Sequence, residues 1–153
     1  MTDNNTATKT ILLVEDDPGI RELVGKILEG LSFAVHAVPD GRTALDWVGG
    51  HATHCILLDY GLPDMNGREF VLRLRECCPA PPPFLVTTGQ GDENIAVEMM
   101  KLGAMDYVVK DTSFLDMLPE VIKRIDREIR NEARLRVAEE QLLQSRKLEA
   151  IGK

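Results

Sequence analysis

Residues 55–67 read CILLDYGLPDMNG. Cys55, Ile56, Leu57 and Leu58 form the unbroken apolar run of a strand buried on both faces. Asp59 follows where that strand should meet water, and a loop with Gly61, Pro63 and Gly67 comes next. A carboxylate at a strand end is ordinary by itself. What gives Asp59 weight is the set of residues that the rest of the chain brings to equivalent places.

On the N-terminal side, residues 11–14 (ILLV) form a first apolar run. Asp17-Pro18 then supplies a helix N-cap and a first helical residue. Ile20, Val24, Ile27, Leu28 and Leu31 recur at helical spacing. Residues 33–38 read as a second strand. Asp40-Gly41 opens a helix that turns Ala44, Leu45 and Val48 inward and closes at Gly49-Gly50. On the C-terminal side, a third helix starts near Gly67 and carries Phe70, Val71 and Leu74. Prolines between 79 and 83 break the chain, and residues 84–87 form a fourth strand. Asp92 caps a helix with Ile95, Ala96, Met99 and Met100 on one face, ended by Gly103. Residues 106–109 make a fifth strand, and a last helix begins near Ser113. Five strand–helix units with short connections predict an α/β fold, a parallel sheet with helices on both faces.

In such a sheet the site lies beyond the carboxyl ends of the strands, at the topological switch point. Those ends carry Glu15, Asp16 and Asp17, then Asp59, Thr88 and Lys110. Carboxylates brought together repel unless a cation sits among them. An all-oxygen set with room for water suits Mg²⁺. The combination predicts a carboxylate, Asp59, that receives a phosphoryl group beside a divalent metal, with Lys110 and the Thr88 hydroxyl available to an anion. A dinucleotide fold would need a glycine-rich turn after the first strand, where this chain has Glu-Asp-Asp-Pro. A dehalogenase-type phosphatase would want a second acid two residues after the nucleophile, and position 61 is glycine.

The motifs ILLVEDDP, LLDYGLPDMNG, TTGQGDE and GAMDYVVK, in that order, resemble the response-regulator receiver domain of two-component signalling over roughly residues 10–130. The resemblance implies a flavodoxin-like sheet of order 2-1-3-4-5. It implies that Glu15, Asp16, Asp59 and the Gly61 carbonyl hold Mg²⁺ or Mn²⁺, and that Asp59 accepts phosphate from a phosphohistidine donor. Thr88 and Lys110 would engage the phosphoryl group, and Tyr107 would act as a rotamer switch. Gly61 and Gln90 would tune phosphoryl lifetime, and Asp17 would serve as a cap. Lys110 is followed by Asp111 where many receivers have proline, so no cis-proline is expected there.

The chain of 153 residues carries a net charge of −7, which argues against direct binding of nucleic acid. The acidity belongs to residues 1–112, with nine Lys+Arg against seventeen Asp+Glu; residues 113–153 carry nine against eight. Three cysteines (Cys55, Cys77, Cys78) without metal-type spacing fit a reducing, cytoplasmic setting. His36, His51 and His54 look scattered. No apolar run suits a membrane span, and the polar start lacks the apolar stretch of a signal peptide. Residues 1–9 are expected to be flexible.

Leu115, Leu118, Ile122, Ile125 and Ile129 continue the last helix as a stripe, and Leu135, Ala138 and Leu142 follow after a register shift. Residues 131–153 are therefore expected to form a helical linker, most simply a parallel coiled coil. Its final residues, LLQSRKLEAIGK, resemble the segment leading into the phosphoacceptor helix of sensor histidine kinases. The resemblance implies an N-terminal receiver feeding a kinase output in the same chain; a DNA-binding or cyclic-nucleotide-synthesising output and a docking-only receiver are the alternatives. Homodimers through the coil or through the face made by the fourth helix, fifth strand and fifth helix are expected partners. Met99 and Met100 are read as core packing, with a docking surface as the alternative.

Overall fold

The computed structural model describes residues 8–151; of the segment expected to be flexible, residues 1–7 lie outside it, as do Gly152 and Lys153. The elements alternate strictly: β1 (Thr10–Val14), α1 (Pro18–Gly30), β2 (Ala34–Val38), α2 (Gly41–Val48), β3 (Cys55–Asp59), α3 (Gly67–Cys77), β4 (Phe84–Thr88), α4 (Glu93–Lys101), β5 (Tyr107–Val109) and α5 (Phe114–Ile151). All strands are parallel, in the order β2-β1-β3-β4-β5. This is the flavodoxin-like architecture, with helices on both faces. No cis peptide bond occurs among the described residues.

Two strands run one residue further than the apolar pattern predicts. Asp59 pairs with Thr87 across β3 and β4, and Thr88 pairs with Val109 across β4 and β5. Both side chains are thus held by the ladder itself, not by a loop. Alternation does the rest: Leu12, Val14, Ile56, Leu58 and Val86 share one face with Phe70, Val71, Leu74 and Met99 from α3 and α4. Each such large side chain contributes about 1.5–3 kcal/mol by leaving water. On the other face, α1 packs against β1 and β2 and buries Val24 and Leu28.

The helix starts follow the expected chemistry. Asp17 accepts from the Gly19 and Ile20 N–H groups, Asp40 from Thr43, Asn66 from Glu69, and Asp92 from Asn94 and Ile95. Gly103, at φ 104°, ends α4 in the left-handed region. The methionine pair divides: Met99 is fully buried, whereas Met100 is 47% exposed, so the core reading holds for Met99 and is corrected for Met100. Consecutive residues on a helix point about 100° apart, and only one can face the sheet.

Compact packing separates the described chain into two units, one ending at Pro119 and one starting at Glu120. Pro119 lies inside α5 and offers no N–H to the helical ladder. In the second unit, residues 131–150 are exposed throughout, and Leu135, Val137, Leu142, Leu143 and Leu148 are the large apolar side chains among them. No described helix is long and apolar enough to cross a membrane.

Candidate functional site

The register of β1, β3, β4 and β5 gathers the predicted residues at one edge of the sheet. Glu15, Asp59 and Thr88 are buried there, while Asp16 is exposed. Ligand atoms of Glu15, Asp16 and Asp59 all lie within 4.8 Å of one another, a spacing one hard cation can bridge. Lys110 Nζ sits 2.8 Å from Glu15 Oε1 and 3.3 Å from Asp59 Oδ1. These residues line an open cleft of about 610 Å³, together with Gly61, Gln90 and Ile95.

The electrostatics follow from that crowding. Burial and then the Glu15 charge push the Asp59 carboxyl up to about 7, with Lys110 pulling the other way. For Lys110, burial works against the charged form. The hydrogen bond to Glu15 and the charges of Asp59 and Glu15 outweigh it and hold the ammonium above its ordinary value. The carboxylate set is therefore short of positive charge even with Lys110 in place, which is the condition a divalent cation would relieve.

The surrounding loops hold each group in position. Glu15 accepts the Asp17 N–H at its other oxygen, Oε2, at 3.1 Å. The Gly61 N–H points at Asp59 Oδ1 from 3.4 Å, and Gly61 bridges to Asn66, closing the loop after β3. A Cβ at position 61 would meet no atom within 4 Å beyond its chain neighbours. The Thr88 hydroxyl donates to the Gln90 carbonyl at 3.1 Å and receives the Gln90 N–H at 3.4 Å. Thr88 and Gln90 are thus coupled through the backbone. Tyr107 sits at the start of β5 with its hydroxyl buried and without a hydrogen-bond partner. Asp17 caps α1.

Three contacts near the site were not legible from the motifs. Asp64, in the loop after β3, accepts the Gly41 and Arg42 N–H groups at 3.0 and 2.9 Å, so it caps α2 from across the fold. Arg21 donates from Nη1 to the carbonyls of Glu15 and Asp16 at 2.8 and 3.4 Å. His36 and His51, which look scattered in the sequence, both stack on Trp47: each ring lies 4.4 Å from that of the tryptophan. The i, i+4 spacing of Trp47 and His51 is the one sequence signal that could have suggested it.

A doubly wound sheet with an acid triad, a threonine and a lysine at its carboxyl edge defines a receiver, and the chain belongs to the response regulator receiver domain family, whose model matches residues 11–123. It is 31% identical over 126 residues to the transcriptional regulatory protein FixJ of Bradyrhizobium diazoefficiens, covering 80% of this chain and 61% of FixJ. It is 38% identical over 103 residues to the transcriptional regulatory protein SrrA of Staphylococcus aureus, covering 67% of this chain and 42% of SrrA. The match thus spans less than two thirds of either curated relative. Among solved structures, a CheY-like receiver domain protein from Methanospirillum hungatei superposes with a TM-score of 0.73 at 28% identity, over 82% of this chain and 99% of that one. The non-phosphorylated HemR receiver domain of Leptospira biflexa gives 0.68 at 29% identity, over 80% and 94%.

Proposed function

We propose that this chain is a phosphoacceptor receiver in which Asp59 takes a phosphoryl group from a phosphohistidine donor. The observation that carries the reading is the convergence of Glu15, Asp16, Asp59 and Lys110 at one sheet edge, with three carboxylates within bridging distance of one cation. Glu15, Asp16, Asp59 and the Gly61 carbonyl would hold Mg²⁺ or Mn²⁺. When bound, that ion supplies charge neutralisation for the transferring group.

The chain's own residues account for the rest. An Asp59 oxygen attacks phosphorus; the O–P bond forms as the P–N bond of the donor breaks, and the freed imidazole nitrogen takes up a proton. Attack needs the ionised carboxylate, and Lys110 favours that form. Lys110 then pairs with the phosphoryl oxygens. Thr88 leaves Gln90 to donate to the same group. Removal of its hydroxyl from the loop frees space that Tyr107 can follow. Gly61 and Gln90 face the route of attacking water and set the lifetime of the phosphoryl group.

Residues 10–130 make up the receiver in this reading, and residues 131–153 connect it to an output in the same chain. The exposed apolar residues of distal α5 support a coiled-coil connector, and the ending LLQSRKLEAIGK supports a histidine kinase as that output, in a cytoplasmic protein. A second reading, a DNA-binding output, is favoured by one observation: FixJ and SrrA are transcriptional regulatory proteins.

Incubation with Mg²⁺ and a small phosphodonor, followed by intact mass, tests the core of the reading. A gain of one phosphate that requires both the metal and Asp59, and is lost in Asp59→Asn, is the expected result. No gain in the wild-type chain would leave a docking-only receiver.

A further inference from the structure

We infer that Arg21 is a positioning residue for the acidic turn, fixing the direction in which Glu15 and Asp16 present their carboxylates. The inference rests on the metal-binding reading of that turn and adds a residue outside it.

Arg21 lies in the first turn of α1. A cation there opposes the helix dipole, which favours negative charge at the N-terminus. Its partners do not compensate in the usual way, because they are neutral carbonyl oxygens, not carboxylates. Nη1 donates to Glu15 O at 2.8 Å and to Asp16 O at 3.4 Å, reaching back past the start of α1. One guanidinium nitrogen thus joins the two residues whose side chains form two thirds of the acid triad.

The remaining contacts of the turn show why this matters. The Glu15 N–H is held by the Val38 carbonyl at 3.0 Å, so the strand anchors one side of Glu15. The Asp17 carboxylate is committed to the α1 cap. Between these anchors, the peptide groups of residues 15 and 16 decide where the two carboxylates point, and Arg21 is the side chain that grips both carbonyls. A guanidinium suits this task because its donors are fixed in a plane, whereas a lysine ammonium is a single point on a flexible stem. Arg21 itself stays off the carboxylates and takes no part in the phosphoryl transfer.

The test compares the wild-type chain with Arg21→Ala, Arg21→Lys and Arg21→Gln. Two quantities are read: the hydrogen-exchange rate of the Asp17 amide without metal, and the Kd for Mg²⁺ by titration. The Asp17 N–H bonds to Glu15 Oε2, so its exchange reports the geometry of the turn independently of any ion. Expected in Arg21→Ala and Arg21→Lys are faster exchange at Asp17 and a rise in Kd of about tenfold, in line with loss of an outer partner of a metal ligand. Thermal stability should change little, which separates positioning from a general structural role. Arg21→Gln keeps a planar amide donor and serves as the folded variant should the alanine chain fail to fold. Wild-type exchange and Kd in the variants would overturn the inference. Full restoration of both by lysine would also overturn it, by showing that charge alone suffices. Were the wild-type chain to bind no Mg²⁺, the metal reading would fall, and the Asp17 amide would still decide the role of Arg21.

Discussion

The Lys110 ammonium lies closer to Glu15 than to Asp59, at 2.8 against 3.3 Å, so the lysine serves both carboxylates and is bound to neither alone. Lys110→Ala leaves two buried carboxylates facing each other. Removing one partner of a buried ionic group costs about 3–5 kcal/mol. The variant should lose that order of stability in urea unfolding without divalent cation, and recover part of it in excess Mg²⁺. A Lys110→Ala chain as stable as wild type in chelator would contradict the shared-lysine picture.

The raised Asp59 carboxyl makes stability depend on pH. Its folded value, about 7, lies above the ordinary 3.8. The folded state therefore favours the protonated form. That contribution is fully present below 3.8 and is lost as pH rises through the interval up to about 7. Asp59→Asn removes the cost of ionising the group. In chelator it should be more stable than wild type at pH 8, by roughly 2–4 kcal/mol, and the advantage should shrink towards pH 4. Paired melting curves at the two pH values measure it.

Phosphoryl lifetime should respond to the two positions that look onto the cleft. Gly61→Asn adds a side chain whose Cβ would meet no atom within 4 Å beyond its chain neighbours, so it should be tolerated by the fold. Gln90→Ala keeps the backbone contacts with Thr88, which use only main-chain groups of residue 90. Both variants should alter the decay rate of Asp59-phosphate while leaving thermal stability within about 0.5 kcal/mol. Unchanged decay in both would remove these residues from any role in hydrolysis.

Asp64 is expected to act on stability through α2 alone. Burial pushes its carboxyl upward, and the Gly41 and Arg42 N–H groups outweigh that and hold it below the ordinary value of 3.8. A depressed carboxyl contributes stability above its unfolded value, and that contribution disappears as pH falls through the folded value. Asp64→Ala should cost about 1 kcal/mol at pH 7, the usual size of a lost cap. The deficit should vanish on acidification below pH 3.8. Chemical denaturation across that range gives the comparison.

The sheet order and the acid set were readable because each rests on local signals: continuous apolar strands, Asp caps, and polar residues at four strand ends. Asp59 and Thr88 were placed one residue beyond their strands, since a polar residue ends an apolar pattern even when the ladder continues through it. Met99 and Met100 are equally apolar, and only the helix phase separates the buried residue from the exposed one. The contacts of Arg21 and Asp64 were hidden for a different reason. Both join side chains to distant or turn-back main-chain groups, and main-chain groups leave no trace in residue types. The stacked pair of His36 and Trp47 joins a strand to a helix, which no periodicity reveals.

The loop after β3 is fastened at both ends. Asp59 is held in the ladder, Asp64 is bound to the start of α2, and a Cβ on Gly41 would come within 2.6 Å of the Met65 sulfur. That segment and the start of α2 are consequently one exchangeable cassette. A chimaera that borrows the loop from a relative must bring the relative's residue at position 41 with it, and insertions between 59 and 64 should be rejected in a library that tolerates them elsewhere.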